Sequence, residues 1–124
     1  MDVADDTLRV TLTGRAPVAI VKTDWPVVAR AVDDTRDDGD FTGYSPAGMN
    51  HKWVLRVRRH GDGRVLVYGT AEHEGGVGEP YRAGGRLLTS DSDIPGAIYA
   101  VAESLKIERW LADRCIADLP AERI

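Results

Sequence analysis

A run of carboxylates, three histidines and a single cysteine are the side chains in this sequence with the most obvious chemical capacity. Asp33, Asp34, Arg36, Asp37, Asp38 and Asp40 crowd together. Clustered carboxylates can hold Ca²⁺, but an EF-hand needs ligands at alternating positions, a central Gly and a closing Glu. Counted from Asp34, Arg36 falls where a ligand is required, and other starting points also break the order. The run therefore fits either a solvated, self-repelling loop or a negative patch that docks on a basic protein groove, imitating nucleic-acid phosphate. His51, His60 and His73 stand apart, whereas zinc sites pair their ligands at short spacing. No metal and no cofactor is expected.

Glu72-His73-Glu74 is the densest polar triplet. An imidazole between carboxylates favours its charged form and can act as acid or base, but an exposed strand end looks the same. Cys115 would need a neighbouring base to serve as a nucleophile. Its place on an apolar helical stripe fits a small buried hydrophobe equally well. The glycines of 74–85 do not make a phosphate loop, because no Gly-Lys-Ser or Gly-Lys-Thr occurs anywhere in the chain. Tyr81 stands where a dinucleotide fingerprint would place its third Gly. A binding loop and a plain connector both remain open for this stretch.

The elements that must position these groups follow from periodicity. Leu8 to Thr13 alternates apolar and polar residues with period two, a turn follows at 14–17, and Val18 to Val21 returns as a second strand. Pro17 either confines that strand to an edge or makes it begin late. Asp24-Trp25-Pro26 has the grammar of a helix start, and Trp25, Val28, Ala29 and Val32 recur at helical spacing, predicting a helix in the N-terminal half. Asp93-Ile94-Pro95 repeats the device before helical patterns at 94–105 and 107–118, with a bend near Lys106 and a stop at Pro120. The residues of Ser90-Asp91-Ser92-Asp93 read as its caps.

The strongest β signal is the pair Lys52–Arg59 and Arg64–Gly69 around His60-Gly61-Asp62-Gly63. A turn centred on Gly61-Asp62 sets Arg59 against Arg64 and Val57 against Leu66. Trp53, Leu55, Val57, Leu66 and Tyr68 then face the core, and Val54, Arg56, Arg58, Val65 and Val67 the other side. A one-residue change in the turn alters that pairing. With Lys52 and Arg64 nearby, the outer side makes either a basic, partly apolar binding surface or a solvated sheet face. Arg86 to Thr89 supplies a last strand. The expected fold is α+β: an antiparallel sheet of four or five strands, one N-terminal-half helix, and C-terminal helices packed on one face.

The chain has 124 residues, consistent with a single domain over 1–124, with a flexible 1–6 and long loops at 33–48 and 72–85. A formal charge of −4 makes direct nucleic-acid binding an unfavoured reading. One Cys, an acidic start and no apolar run of the ~18 residues a span needs point to the cytoplasm and away from membranes. An acidic loop and a basic face on one chain also suggest a homodimer.

Five phrases carry a resemblance: Thr13-Gly14-Arg15-Ala16-Pro17-Val18, Asp24-Trp25-Pro26-Val27-Val28-Ala29, Lys52 to Arg58, Asp62 to Gly69, and Cys115 to Glu122. Together they resemble small uncharacterised proteins of proteobacterial plasmids, phages and integrative elements. Such accessory proteins include many blockers of host defence, anti-CRISPR proteins among them, which are often small, acidic and non-enzymatic. The resemblance implies a protein that binds a host protein or protein complex, and it brings no catalytic residues. Asp33, Asp34, Asp37, Asp38, Asp40, Arg56, Arg58 and Arg64 are the expected contacts. Two alternatives are a small enzyme or ligand-binding domain with His73 and Glu72 or Glu74 beside the 72–85 loop, and a nucleic-acid binder using the Arg-rich hairpin face.

Overall fold

The computed structural model describes residues 6–35, 50–74, 81–89 and 93–120, with backbone only at 50 and 74. Strands β1 (Thr7–Leu12) and β2 (Arg15–Val21) form a two-stranded antiparallel hairpin that turns at Gly14. A single 3-10 turn at Lys22–Asp24 leads into a four-stranded antiparallel sheet. Its strands β3 (Val27–Asp34), β4 (Asn50–Arg59), β5 (Val65–Glu74) and β6 (Tyr81–Leu88) lie side by side in chain order. Helices α1 (Ile94–Ser104) and α2 (Arg109–Ala117) close the described chain. The fold is α+β.

The helix expected after Asp24 is a strand. Ala29 and Ala31 are buried while Arg30 between them is exposed, a period of two. The pairing with β4 shifts between Val27 and Ala29, so both Val28 and Ala29 reach the helix-side core. That local irregularity produces the adjacent apolar pair that imitates a helical stripe. Trp25 packs instead in a different cluster. β-branched Val27, Val28 and Val32 gain more from pairing than from a helix they would crowd. The expected loops are shorter too: Asp33 and Asp34 belong to β3, Glu72 to Glu74 to β5, and Tyr81 to Gly85 to β6. The expected flexible start falls outside the described residues, apart from Asp6.

The β4–β5 hairpin forms, but one residue out of the expected register. Gly63 takes a φ of +97°, its N–H bonds to the His60 carbonyl, and His60 N bonds to the Arg64 carbonyl at 2.9 Å. Three residues therefore close the loop, the form in which a left-handed Gly follows a type I turn. Arg59 pairs with Val65, Val57 with Val67 and Arg58 with Leu66. Val65 and Val67 thus join Leu55 and Val57 in the core, and Leu66 and Tyr68 turn to the opposite face.

Both faces of β5 are covered. On one side Leu55, Val57, Val65, Val67 and Ala71 pack against Ile98, Val101, Leu105, Leu111 and Cys115 of the helical layer. Asp93 caps α1 by accepting from Gly96 N at 3.1 Å, with Pro95 in the first turn. The bend expected near Lys106 is there, at a φ of +58°. On the other side Val10, Leu12 and Ile20 of the β1–β2 hairpin cover Leu66 and Tyr68 together with Trp25. Thr13 N pins the hairpin to the sheet edge through the Gly85 carbonyl at 2.9 Å.

Close approach makes Gly69 sensitive: a Cβ there would lie 2.5 Å from the Val54 carbonyl oxygen and 2.9 Å from Leu55 Cδ2. Gly69→Ala should lower unfolding free energy by ~1–3 kcal/mol, measured by urea denaturation. Burial, and then the charge of Asp118, push the Cys115 thiol up to about 11. The folded state therefore holds a proton that the unfolded chain releases near pH 9. Stability from this group is complete below that pH and is lost as pH rises toward 11, by up to ~3 kcal/mol. A Cys115→Ala variant should show a shallower alkaline decline in denaturation midpoint.

Candidate functional site

Directly paired residues of adjacent strands point to the same face, so the outer face can be read in rows across β3, β4, β5 and β6. The row nearest the β3 end is Asp34–Lys52–Glu72–Tyr81, in which one cation stands between two carboxylates. Next comes Val32–Val54–Thr70–Ala83, without charge. The third is Arg30–Arg56–Tyr68–Gly85, and the fourth continues through Arg58, Leu66 and Leu87. Leu66, Tyr68 and Leu87 lie under the β1–β2 hairpin, whereas no residue of β3 or β4 belongs to that cluster.

The three arginines of these rows are not equivalent. Arg58 donates from Nε to the Tyr68 hydroxyl at 2.8 Å and from Nη1 to the Trp25 carbonyl at 3.0 Å, so it braces the second core. Arg56 is half-buried and Arg30 exposed, and neither guanidinium has a hydrogen bond or ion pair among the described residues. They stand directly opposite each other, an arrangement that costs the sheet stability. The Arg30 main-chain N–H is satisfied separately by Asp118 Oδ2 at 2.9 Å.

Of the other expected contacts, Arg64 is committed to the turn. Its Nε donates to Asp62 Oδ2 at 2.7 Å, and its guanidinium lies 5.1 Å from the Trp25 ring centre. The Arg64 backbone N–H, supported by that guanidinium and by His60, holds the Asp62 carboxyl below its ordinary range. Asp33 points to the helix side of β3, and Asp34 to the outer side opposite Lys52. Asp37, Asp38 and Asp40 lie outside the described residues. Arg30 is not among the expected contacts, because the spacing of Trp25, Val28, Ala29 and Val32 is also that of a helix. The polar Arg30 between Ala29 and Ala31 is the signal that places it on the outer face beside Arg56.

The histidines divide between the two ends of the sheet. His60 belongs to the turn, where its Nδ1 accepts from Asp62 N at 3.1 Å and its ring meets Trp25 edge-on. His51 and His73 are directly opposite on β4 and β5. The His51 Nε2 and Asp33 Oδ2 are 2.6 Å apart, and the imidazole stacks on Trp53 at 3.8 Å between ring centres. Thr35 fixes the local backbone, since its Oγ1 accepts from His51 N at 2.9 Å. A carboxylate on Nε2 orients the ring and leaves Nδ1 as the basic nitrogen when Nε2 carries the proton. Glu72 faces away from this group, beside Lys52. Among the described residues no three His, Cys, Asp or Glu side chains are placed to hold a metal ion.

No protein family, curated protein or solved structure matches the chain. Among the described residues no helix is long and apolar enough to cross a membrane.

The contrast between the two β4 arginines is measurable in stability. Arg58→Ala should lower unfolding free energy by ~2 kcal/mol, because it strands the Tyr68 hydroxyl and the Trp25 carbonyl. Arg56→Gln should leave stability unchanged or raise it by a few tenths of a kcal/mol at low salt, through relief of repulsion from Arg30. Denaturation midpoints of the two variants in the same buffer test the assignment.

Proposed function

We propose that this protein is a non-enzymatic interaction factor that acts by occupying a surface of another protein or protein complex. The resemblance to mobile-element proteins supports taking that partner from a host defence system, which the protein would inhibit. The observation that carries the reading is the Arg30–Arg56 pair. Two guanidiniums are held side by side without an acceptor among the described residues, an arrangement that costs the sheet stability. Their charge supports a role toward an acidic surface of the partner. Around them the neighbouring cation Arg58 is fixed in place and adds to the positive field.

A second reading rests on the Asp33–His51 contact with His73 opposite. Such a group could bind a small ligand or move a proton for one. A metabolite panel would reveal it as a rise in melting temperature that His51→Ala abolishes.

The leading reading is tested by capture from nuclease-treated proteobacterial lysates with tagged wild type and with Arg30→Glu/Arg56→Glu side by side. A stoichiometric protein retained by wild type and released by the double variant is the expected result, and its identity tests the defence assignment. Absence of any stoichiometric protein across several lysates would overturn the reading.

A further inference from the structure

We infer that the β1–β2 hairpin is a strap that opens as a unit, hinged at Lys22–Asp24 and latched by Thr13, while the four-stranded sheet and its helices stay folded. Among the described residues β1 and β2 pair with each other and with no strand of the four-stranded sheet. The core under the hairpin, built from Val10, Leu12, Ile20, Trp25, Leu66 and Tyr68, has no member in common with the core beneath the helices. Lifting the hairpin therefore removes no side chain from the larger core. An isolated two-stranded hairpin is marginal in water, so β1 and β2 also lose each other's pairing once they leave the sheet.

The latch sits at the hairpin's tip, beside its turn at Gly14. Thr13 N donates to the Gly85 carbonyl at 2.9 Å, and Gly85 N donates to Thr13 Oγ1 at 3.2 Å. Thr13 thus takes both main-chain groups that Gly85 turns away from β5. The approach depends on glycine, since a Cβ at Gly84 would lie 2.7 Å from Thr13 Oγ1. One residue, bonded twice, holds the tip to β6.

The opposite end is anchored. The Trp25 carbonyl accepts from Arg58 Nη1 at 3.0 Å, and the Pro26 carbonyl accepts from Arg59 N at 3.1 Å. His60 meets the Trp25 ring edge-on, and the Arg64 guanidinium lies 5.1 Å from its centre. Between this anchor and β2 lies the turn Lys22–Asp24, which buries no residue. Thr23 Oγ1 donates to Asp6 Oδ2 at 2.9 Å, so the turn is tied to the start of β1 and moves with it. Swinging on that turn, the hairpin uncovers Leu66, Tyr68 and Leu87 together with the Gly85 peptide groups. This device goes beyond the interaction reading, which rests on Arg30 and Arg56.

The test is native-state hydrogen exchange, read by NMR over a series of low urea concentrations. In the wild type the protected amides of β1 and β2 should share one protection factor, about tenfold or more below that of the slowest amides of β4 and β5. Ile98→Val, in the core beneath the helices, should lower protection of those β4 and β5 amides several-fold and leave β1 and β2 unchanged, because its contacts survive the opening. Thr13→Val, which removes the hydroxyl at nearly constant volume, should lower protection of β1 and β2 several-fold. Protection of β1 and β2 equal to that of β4 and β5, or an equal loss in all four strands on Ile98→Val, would overturn the inference. So would an absence of any protection in β1 and β2 of the wild type, or hairpin protection indifferent to Thr13→Val.

Discussion

The positive φ of Gly63 adds a third residue to the β4–β5 loop and so sets which side chains of the two central strands lie opposite each other. With a two-residue loop Val57 would meet Leu66, and every side chain of β5 would change faces. In the observed register Val65, Val67 and Ala71 meet the helices, and Leu66 and Tyr68 meet the β1–β2 hairpin. Arg56 and Arg58 then share a face with Tyr68, which allows Arg58 to donate to the Tyr68 hydroxyl. The cores and the basic row alike follow from that one loop.

A second constraint comes from the apolar run Val65-Leu66-Val67-Tyr68, which has no polar side to offer water. A strand of this kind must be covered on both faces. The chain achieves this with two layers of different kinds, α1 and α2 beneath and the β1–β2 hairpin above. The hairpin reaches β6 and β5, where Thr13 ties it to Gly85, and its core includes nothing from β3 or β4. Arg30 and Arg56 therefore lie outside the second core. On this face the Asp34–Lys52–Glu72 row sets two carboxylates against one cation, and the two arginines stand two rows away across the uncharged Val32–Val54 row. His51 and Asp33 lie on the helix side of the sheet, and Arg30, Arg56 and Arg58 on the other.

Much of the fold was legible where one physical signal spoke alone. Period-two alternation identified β1, the Gly-containing turn identified the β4–β5 hairpin, and the Asp93 cap with Pro95 marked the start of α1. Cys115 was readable as a buried hydrophobe from its helical stripe, and its sealed environment agrees. The misreadings arose where two signals overlapped. Val28 and Ala29 both face the core because of a bulge, and the resulting spacing is also that of a helix. Arg30 was hidden by the same error, so half of the basic pair was missed while Arg56 was found. Arg58 and Arg64 were singled out as contacts because their charge is visible in sequence, whereas the Tyr68, Trp25 and Asp62 partners that occupy them are not.

The residues alone determined the class of fold, the ends of the C-terminal helices and the supply of charge, because caps, turns and periodicity act over a few positions. Pairing partners were decided only in three dimensions. Tyr68 meets Arg58 across ten positions, His51 meets Asp33 across eighteen, and Asp118 meets Arg30 across eighty-eight. Contacts at such separations depend on register and on which layer covers which face. A shift of one residue in the Gly61–Gly63 loop would reassign partners across β4 and β5 without changing the local pattern of apolar and polar residues, and so the contacts of Arg56 and Arg58 are a property of the folded chain.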